Sequence, residues 1–218
     1  MNYVYTFFFF LTVVQAAAQL PKLEPSNPAP RQGEEVNITF LLKQGSVDIG
    51  GGNFKVRQPL ADTGLVRIGP FQFSINDKNY TTGTLTLHVY PKLPDNIRDG
   101  IWIRYVVFEG KNYLITEQRI SAAHKKTVDT NTIVIGSEEP FAEVDRDRFE
   151  EAGLKVVFSN SFTAAENLGR EEVSYKLTTY KFEKTARFKG KVKIEKKLFA
   201  DFPEKIITPE VWIGESGG

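Results

Sequence analysis

Apolar and polar residues alternate along several stretches of this sequence, and this pattern restricts the fold more than any other feature. From Glu35 to Lys43 every even position is apolar, and the odd positions are mostly polar. A period of two is typical of a β-strand that buries one face. The pattern returns in residues 71–75, 84–90 and 101–108. Helical stretches of ten to fifteen residues do not separate these segments, so the sequence predicts an all-β protein and not a parallel α/β sheet.

Turn-forming residues separate the predicted strands. Residues 76–79 (Asn-Asp-Lys-Asn) follow the alternating stretch at 71–75, and we expect them to turn the chain into the strand at 84–90. Residues 109–112 (Glu-Gly-Lys-Asn) separate 101–108 from 113–120 and predict a second antiparallel hairpin. Both faces of residues 101–108 are largely apolar, so we expect this strand to be central in its sheet.

The second half of the chain continues in the same way. A short helix is predicted from Asp145, which can cap it, to Gly153, which can terminate it. It would be about two turns long and would serve as a connector. Lys189-Gly190 is expected to form a turn or bulge. Further strands are predicted at residues 132–135, 154–158, 173–182, 186–196 and 211–213.

Two prolines in Pro91–Asp95 predict an extended, semi-rigid linker between two parts of the chain. The strand spacing is roughly that expected of a β-sandwich. We therefore expect two β-sandwich modules, at residues 19–92 and 97–218, with one short connecting helix. Residues 97–218 could form one domain or a sandwich with an appended hairpin.

The N-terminal residues 1–18 have the pattern of a cleavable signal peptide. Four consecutive phenylalanines, Phe7 to Phe10, begin an apolar run that ends before Gln15, and three alanines follow. The run is shorter than a helix needs to cross a bilayer core of about 30 Å. The alternative is an ordinary buried strand or helix. We expect export to the periplasm or secretion, with the mature chain beginning near Gln19. We expect no membrane span after it.

The composition excludes several kinds of chemistry. The sequence contains no cysteine, which excludes disulfides, thiolate metal sites, a cysteine nucleophile and a lipid anchor on cysteine. The 28 basic and 27 acidic side chains give a net charge of +1, which offers no reason to expect nucleic acid as a partner. A hydrophobic fraction of 41% is enough for real cores.

Candidate catalytic and metal-binding patterns are weak. His88 and His124 lie far apart, and His88 should point outward from its strand. The three glycines at residues 50–52 lack the spacing of a phosphate-binding loop. The carboxylate pairs at 138–139 and 150–151 lie in hydrophilic surroundings that would not raise a pKa for acid catalysis. We therefore expect no enzymatic activity, no cofactor and no metal.

A basic region interleaved with aromatic residues occupies residues 175–197. Lys189, Lys191 and Lys193 should share one strand face. This face could be an electropositive surface for anionic lipid, glycan or an acidic partner. The favoured interpretation is a solvated sheet face whose lysines prevent edge-to-edge association.

Three stretches resemble the BatD-type aerotolerance proteins of bacteria. Gln32–Phe40 is similar to the opening strand of the immunoglobulin-like modules of that family. Ile68–Phe73, followed by Lys78–Thr82, resembles their closing hairpin, and Asp99–Arg104 resembles the start of a second module. The resemblance covers about the first 120 residues. It implies tandem immunoglobulin-like β-sandwich modules in the periplasm, with no catalytic residues.

These observations lead to two hypotheses of function. The first is a non-catalytic periplasmic interaction or scaffold protein, in envelope stress or aerotolerance, that binds an envelope protein through sheet faces and loop tips. Aromatic interface candidates are Tyr80, Tyr90 and Trp212. The alternative is a carbohydrate- or lipid-binding module, with a concave sheet face lined by Tyr175, Tyr180 and Phe182 and with Lys189 and Lys191 nearby.

Overall fold

The computed structural model describes residues 21–41, 43–44, 47–48, 55–75, 77–121, 141–201, 208 and 210–214. These residues form antiparallel β-sheets with one short helix, which confirms the all-β prediction. The predicted signal peptide, residues 50–52, His124, the strand predicted at 132–135 and the carboxylate pair at 138–139 lie outside the described residues. The strands are Lys22–Pro25 (β1), Glu35–Leu41 (β2), Lys43–Gln44 (β3), Val47–Asp48 (β4), Lys55–Pro59 (β5), Gly64–Ile68 (β6), Gln72–Ile75 (β7), Lys78–Thr81 (β8), Leu85–Val89 (β9), Gly100–Phe108 (β10), Lys111–Ser121 (β11), Glu143–Val144 (β12), Leu154–Leu168 (β13), Glu171–Lys184 (β14), Lys191–Ile194 (β15), Phe199–Ala200 (β16) and Val211–Gly214 (β17).

The N-terminal part of the chain, which contains β1 to β9, is built from small sheets around one apolar core. Its sheets have the strand orders β1-β2-β5, β6-β9, β7-β8 and β3-β4. The alternation in β2 gives the expected result, because its even positions are buried and face the core. The buried residues of this core are Leu23, Val36, Ile38, Phe40, Leu60, Ile68, Leu85, Leu87 and Val89.

The first predicted hairpin forms with a different partner strand. The turn after β7 is shorter than expected and includes Asp77, which has a φ of 61°. Lys78–Thr81 is therefore free to pair with β7, and Tyr80 lies opposite Phe73. The strand expected to complete this hairpin, β9, pairs instead with β6. The prediction that residues 76–79 join β7 directly to the strand at 84–90 was wrong.

A four-stranded antiparallel sheet with the order β10-β11-β14-β13 dominates the C-terminal part. The turn between β10 and β11 is formed by Glu109 and Gly110, both with positive φ, which confirms the second hairpin. Among the described strands β10 lies at one edge of the sheet, so the expectation that it is central was wrong. Both faces of β10 are apolar because both are covered by other parts of the chain. Ile101, Trp102 and Ile103 are all buried.

Different parts of the chain cover the two faces of this sheet. One face carries Trp102, which packs with Leu93 of the proline linker and with Tyr175. The opposite face carries Leu114 and Phe182, which belong to the core beneath the helix and the C-terminal strands. The sheet is therefore the common layer between the N-terminal part and the C-terminal strands.

The predicted helix forms at Arg146–Glu151 (α1), and its ends match the prediction. The side chain of Asp145 caps it by accepting a 3.2 Å hydrogen bond from the backbone N–H of Arg148. Phe149 is fully buried, and Gly153 follows with a φ of 82°. A short 3-10 helix is also present at Lys196–Leu198.

Two strand lengths in the C-terminal part differ from the prediction. β13 runs ten residues past the predicted end at 158, to Leu168. The strand expected from residue 186 begins at Lys191, because the chain bends at Gly190, where φ is 77°. Within the described residues no helix is long and apolar enough to cross a membrane.

Candidate functional site

A buried carboxylate lies where the N-terminal part meets the four-stranded sheet. Glu117 of β11 has no solvent exposure. Arg31, in the loop before β2, donates from Nε to both carboxylate oxygens, at 2.9 and 2.8 Å. Arg104 of β10 also donates to this carboxylate, and the hydroxyl of Tyr175 donates at 2.9 Å. These four residues, Arg31, Arg104, Glu117 and Tyr175, are called the Glu117 cluster.

The strand register explains how the sheet contributes to the cluster. Glu117 lies opposite Trp102, so Arg104, two residues farther along β10, points to the same face. On the neighbouring strand β14, Tyr175 lies opposite Arg119 of β11. Arg119 is two residues from Glu117, so Tyr175 and Glu117 lie on the same face of the sheet. The sheet thus aims one guanidinium, one carboxylate and one hydroxyl of the cluster toward the N-terminal part, and the loop before β2 supplies the second guanidinium.

The two arginines also bind backbone groups that hold the parts together. Nη1 of Arg31 donates to the carbonyl oxygen of Pro91 in the linker at 2.7 Å. Nη2 of Arg104 donates to the carbonyl oxygen of Ala29 at 3.0 Å, and its guanidinium lies 5.0 Å from the Tyr90 ring. Both side chains therefore connect the N-terminal part or the linker with the sheet.

The electrostatics of the cluster favour an ionised Glu117. Burial by itself would raise the pKa of Glu117, but the charge of Arg104 and the hydrogen bonds and charge of Arg31 outweigh it, and the pKa is lowered. Burial and the Glu117 carboxylate raise the pKa of Tyr175. Nearby, burial and then the charge of Glu117 raise the pKa of Glu34.

This arrangement suits structural bonding better than proton transfer. The carboxylate oxygens of Glu117 accept hydrogen bonds from three side chains, and no solvent reaches them. A general base needs access to the proton that it removes, together with a pKa near the working pH. Glu117 therefore joins parts of the fold.

Sequence reasoning missed the Glu117 cluster, although a signal for it was present. Arg104 interrupts a strand that is otherwise apolar on both faces, and Glu117 and Arg119 lie on the strand that pairs with it. A charge in such a position must be paired when buried. The pairing of Glu117 with Arg31 spans 86 residues, so the sequence did not identify the partner.

A second candidate lies on the paired strands β15 and β17. Trp212 is 40% exposed and lies opposite Lys193. The ammonium of Lys191 is 4.3 Å from the centre of the indole ring, and that of Lys193 is 5.7 Å away. Lys193 also donates to Glu210, and this hydrogen bond lowers the pKa of Glu210. The residues Lys191, Lys193 and Trp212 are called the Trp212 surface.

The Trp212 surface brings together two of the predicted interface residues, Trp212 and Lys191. Lys189, also predicted, is exposed and precedes the bend at Gly190. The expectation that it shares a strand face with Lys191 was therefore wrong. Lys193 of this surface also lines a cleft whose wall includes Arg148 and Glu210.

The four predicted tyrosines are placed elsewhere. Tyr80 is half-buried and stacks on Phe73 at 5.6 Å. Tyr90 is half-buried between Arg104 and His88, whose ring lies 4.8 Å away. His88 is exposed, which confirms that it points outward.

Tyr175 and Tyr180 are buried on opposite faces of the sheet. The Tyr175 hydroxyl belongs to the Glu117 cluster, and that of Tyr180 accepts a 3.2 Å hydrogen bond from the backbone of Val144. The concave face that Tyr175, Tyr180 and Phe182 were expected to line does not form. Each of these rings packs in the interior.

Among the described residues, no three metal-ligating side chains come together in one group. Comparison of the chain with protein-family models, with curated proteins and with solved structures finds no match.

Proposed function

We propose that this chain is a non-catalytic interaction protein, exported to the periplasm or secreted, that binds an envelope protein. Its two parts would correspond to immunoglobulin-like modules of the kind found in the BatD-type aerotolerance family. The observation that carries the proposal is the Glu117 cluster, which uses a buried charge to fix one part of the chain against the other.

A scaffold needs a fixed geometry between its binding surfaces, and the cluster supplies one. The buried carboxylate binds two arginines from different parts of the chain, and losing the carboxylate would leave both guanidinium groups without a counter-charge in the interior. The linker adds to this, since Leu93 is buried against Trp102 and Tyr175. We infer that the two parts move together when the protein binds its partner.

The Trp212 surface is the proposed contact with the partner. An exposed tryptophan flanked by two ammonium groups combines apolar area with positive charge. Tryptophan is among the residues that contribute most to protein interfaces. Positive charge beside it favours an acidic patch on the partner, which would increase the rate of association at low salt.

The alternative of a carbohydrate- or lipid-binding sheet has less support. Its expected ligand-facing residues, Tyr175 and Tyr180, are buried. A glycan or a headgroup could still contact Trp212, but one aromatic ring offers a small platform.

The proposal can be tested by binding to envelope extract. The immobilised chain should retain a defined protein, and retention should fall at high salt. Trp212→Ala should lose this protein, whereas Leu65→Ala, a change at a residue that is 77% exposed in the other part, should retain it. Equal recovery by the chain and by Trp212→Ala would show that the Trp212 surface is not the contact. Recovery of no protein at any salt concentration would contradict the function itself.

The compartment has its own test. Expression of the full sequence in a bacterium should yield a periplasmic or secreted chain, and its N-terminal sequence should begin near Gln19. A cytoplasmic product that begins with Met1 would contradict export.

A further inference from the structure

The strand β13 forms the edge of the four-stranded sheet opposite β10, and it has an unusual composition. β13 pairs with β14 along one side, and no strand among the described residues pairs with its other side. From Val156 to Ala165 it contains no charged residue, proline or glycine. Natural edge strands usually contain such residues because they discourage pairing with other chains.

Two phenylalanines on this edge strand are exposed. Phe158 and Phe162 each have 58% of their surface accessible. They lie four residues apart, so both point to the same face of the strand. Asn160 lies midway between them on that face. An exposed aromatic pair on an uncharged edge indicates a surface that another strand covers.

The hydrogen-bonding phase of the strand defines what can pair with it. Leu168 and Glu171 flank the two-residue turn that joins β13 to β14. Residues flanking such a turn exchange both backbone hydrogen bonds. Counting back in twos, Phe162, Asn160 and Phe158 bond toward β14. Ser159 and Ser161 then turn their backbone groups toward the free edge.

This phase makes the strand complementary to itself. In an antiparallel pair centred on Asn160, Ser159 of one copy and Ser161 of the other exchange both backbone hydrogen bonds. Phe158 of each copy then lies opposite Phe162 of the other copy, so the pairing forms two phenylalanine pairs. These are non-hydrogen-bonded positions, where side chains are closest and aromatic pairs stabilise a sheet.

We propose that β13 pairs with β13 of a second copy of this chain, about a two-fold axis at Asn160. The two four-stranded sheets then form one continuous sheet. The pairing places the axis between two asparagines and buries four phenylalanines. It does not depend on the partner bound at the Trp212 surface, which lies on different strands.

A cysteine crosslink tests the register directly, because the chain contains no cysteine of its own. Asn160→Cys places two thiols opposite each other across the axis, at a Cα separation of about 4.5 Å that suits a disulfide. Mild oxidation should convert this variant into a covalent dimer. Ser161→Cys should react slowly, because its thiols lie on the other face and are offset along the strands. Equal rates for the two variants would overturn the register.

Charge substitution tests the association in solution. Asn160→Lys and Asn160→Glu should each weaken dimerisation by at least about tenfold in sedimentation, since like charges meet at the axis. Mixing the two variants should restore dimers, because the charges then attract. Asn167→Lys, an exposed change beyond the paired stretch, is the control and should leave dimerisation intact.

Three results would overturn the proposal. One is a chain that stays monomeric up to about 100 µM, whether its β13 amides exchange freely or are protected by another part of the same chain. Another is a dimer that persists unchanged in Asn160→Lys. The third is a pure chain that is monomeric and uses β13 to bind a different protein from envelope extract.

Discussion

Glu117 binds the side chains of Arg31, Arg104 and Tyr175 where the two parts of the chain meet. Removing a carboxylate from water is costly, and the two arginines compensate for that cost. The same low-polarity surroundings make the arginines dependent on the carboxylate. Folding is therefore sensitive to the loss of either charge, and the effect of each substitution can be predicted from its burial.

Glu117→Gln should destabilise the protein by about 3–5 kcal/mol, because it leaves two buried guanidinium groups without a counter-charge. Unfolding in urea, followed by tryptophan fluorescence, measures this as a lower midpoint. Glu171→Gln is the matched control, since its ion pair with Arg98 is about half exposed. That change should cost less than about 1 kcal/mol. Similar losses in both variants would show that Glu117 has no special role.

Ionised Glu34 should destabilise the folded chain at neutral pH, in contrast to ionised Glu117, which stabilises it. Burial and then the charge of Glu117 raise its pKa above the ordinary value of 4.5 in the folded chain. A raised folded-state pKa gives stability that is present below the unfolded pKa and lost as pH rises through the folded one. Glu34→Gln should therefore stabilise the protein at pH 7, by less than about 1 kcal/mol. This increase in the free energy of unfolding should vanish near pH 4, and urea unfolding at pH 7 and at pH 4 measures it. A variant less stable than the parent at pH 7 would contradict this.

At the scale of elements, alternation predicted the strands that bury one face and little else. β2 and β9 were found because their inward residues are apolar and their outward residues are polar. The second half of β13 was missed because Ser159 to Thr163 is exposed on both faces and the residues up to Asn167 carry no clear apolar alternation. A strand held by backbone pairing to β14 leaves no signal in side-chain hydropathy.

The two candidate sites also differ in how much of each could be predicted from the sequence. Lys191 and Trp212 lie on short strands near the C-terminus, and an aromatic residue among lysines suggested their role. The Glu117 cluster depends on contacts between distant parts of the sequence, and its tyrosine and arginines resemble ordinary strand residues. Long-range register, which the sequence does not display, decided which charges met.

The turn after α1 depends on a glycine that has two independent constraints. Gly153 has a φ of 82°, and a Cβ there would lie 2.4 Å from the backbone nitrogen of Phe188. Gly153→Ala should therefore destabilise the protein by more than about 4 kcal/mol. Gly169→Ala is the control, because its φ is 69° but no atom lies within 4 Å of the added Cβ. The control should cost about 1–2 kcal/mol, the strain of a left-handed backbone. Thermal unfolding compares them, and equal costs would exclude the clash.

At the scale of the whole molecule, two apolar cores share one chain. The N-terminal core lies among β1, β2, β6 and β9, and the larger core lies between the four-stranded sheet and α1. Phe108 of β10 packs against the N-terminal core, which brings the sheet into contact with it. Ion pairs add to this contact, one buried and others exposed. Their burial should decide how strongly the cores unfold together.

Arg31→Met should separate the unfolding of the two parts. It removes the side chain that binds both Glu117 and the linker carbonyl of Pro91, while Arg104 still neutralises the carboxylate. Amides of β2 should then exchange at least about tenfold faster, whereas those of β11 should change less. Hydrogen exchange followed by mass spectrometry resolves the two strands.

Lys22→Met is the control for this experiment, because it applies the same chemical change to an ion pair that also joins the two parts. The pair of Lys22 with Glu109 is 2.6 Å long, but its side chains are 46% and 36% exposed. Water already solvates both charges, so its loss should cost less than about 1 kcal/mol and leave exchange in β2 nearly unchanged. Faster exchange of β2 in Lys22→Met, or equal acceleration of β2 and β11 in Arg31→Met, would show that burial of the ion pair does not determine how the two parts are coupled.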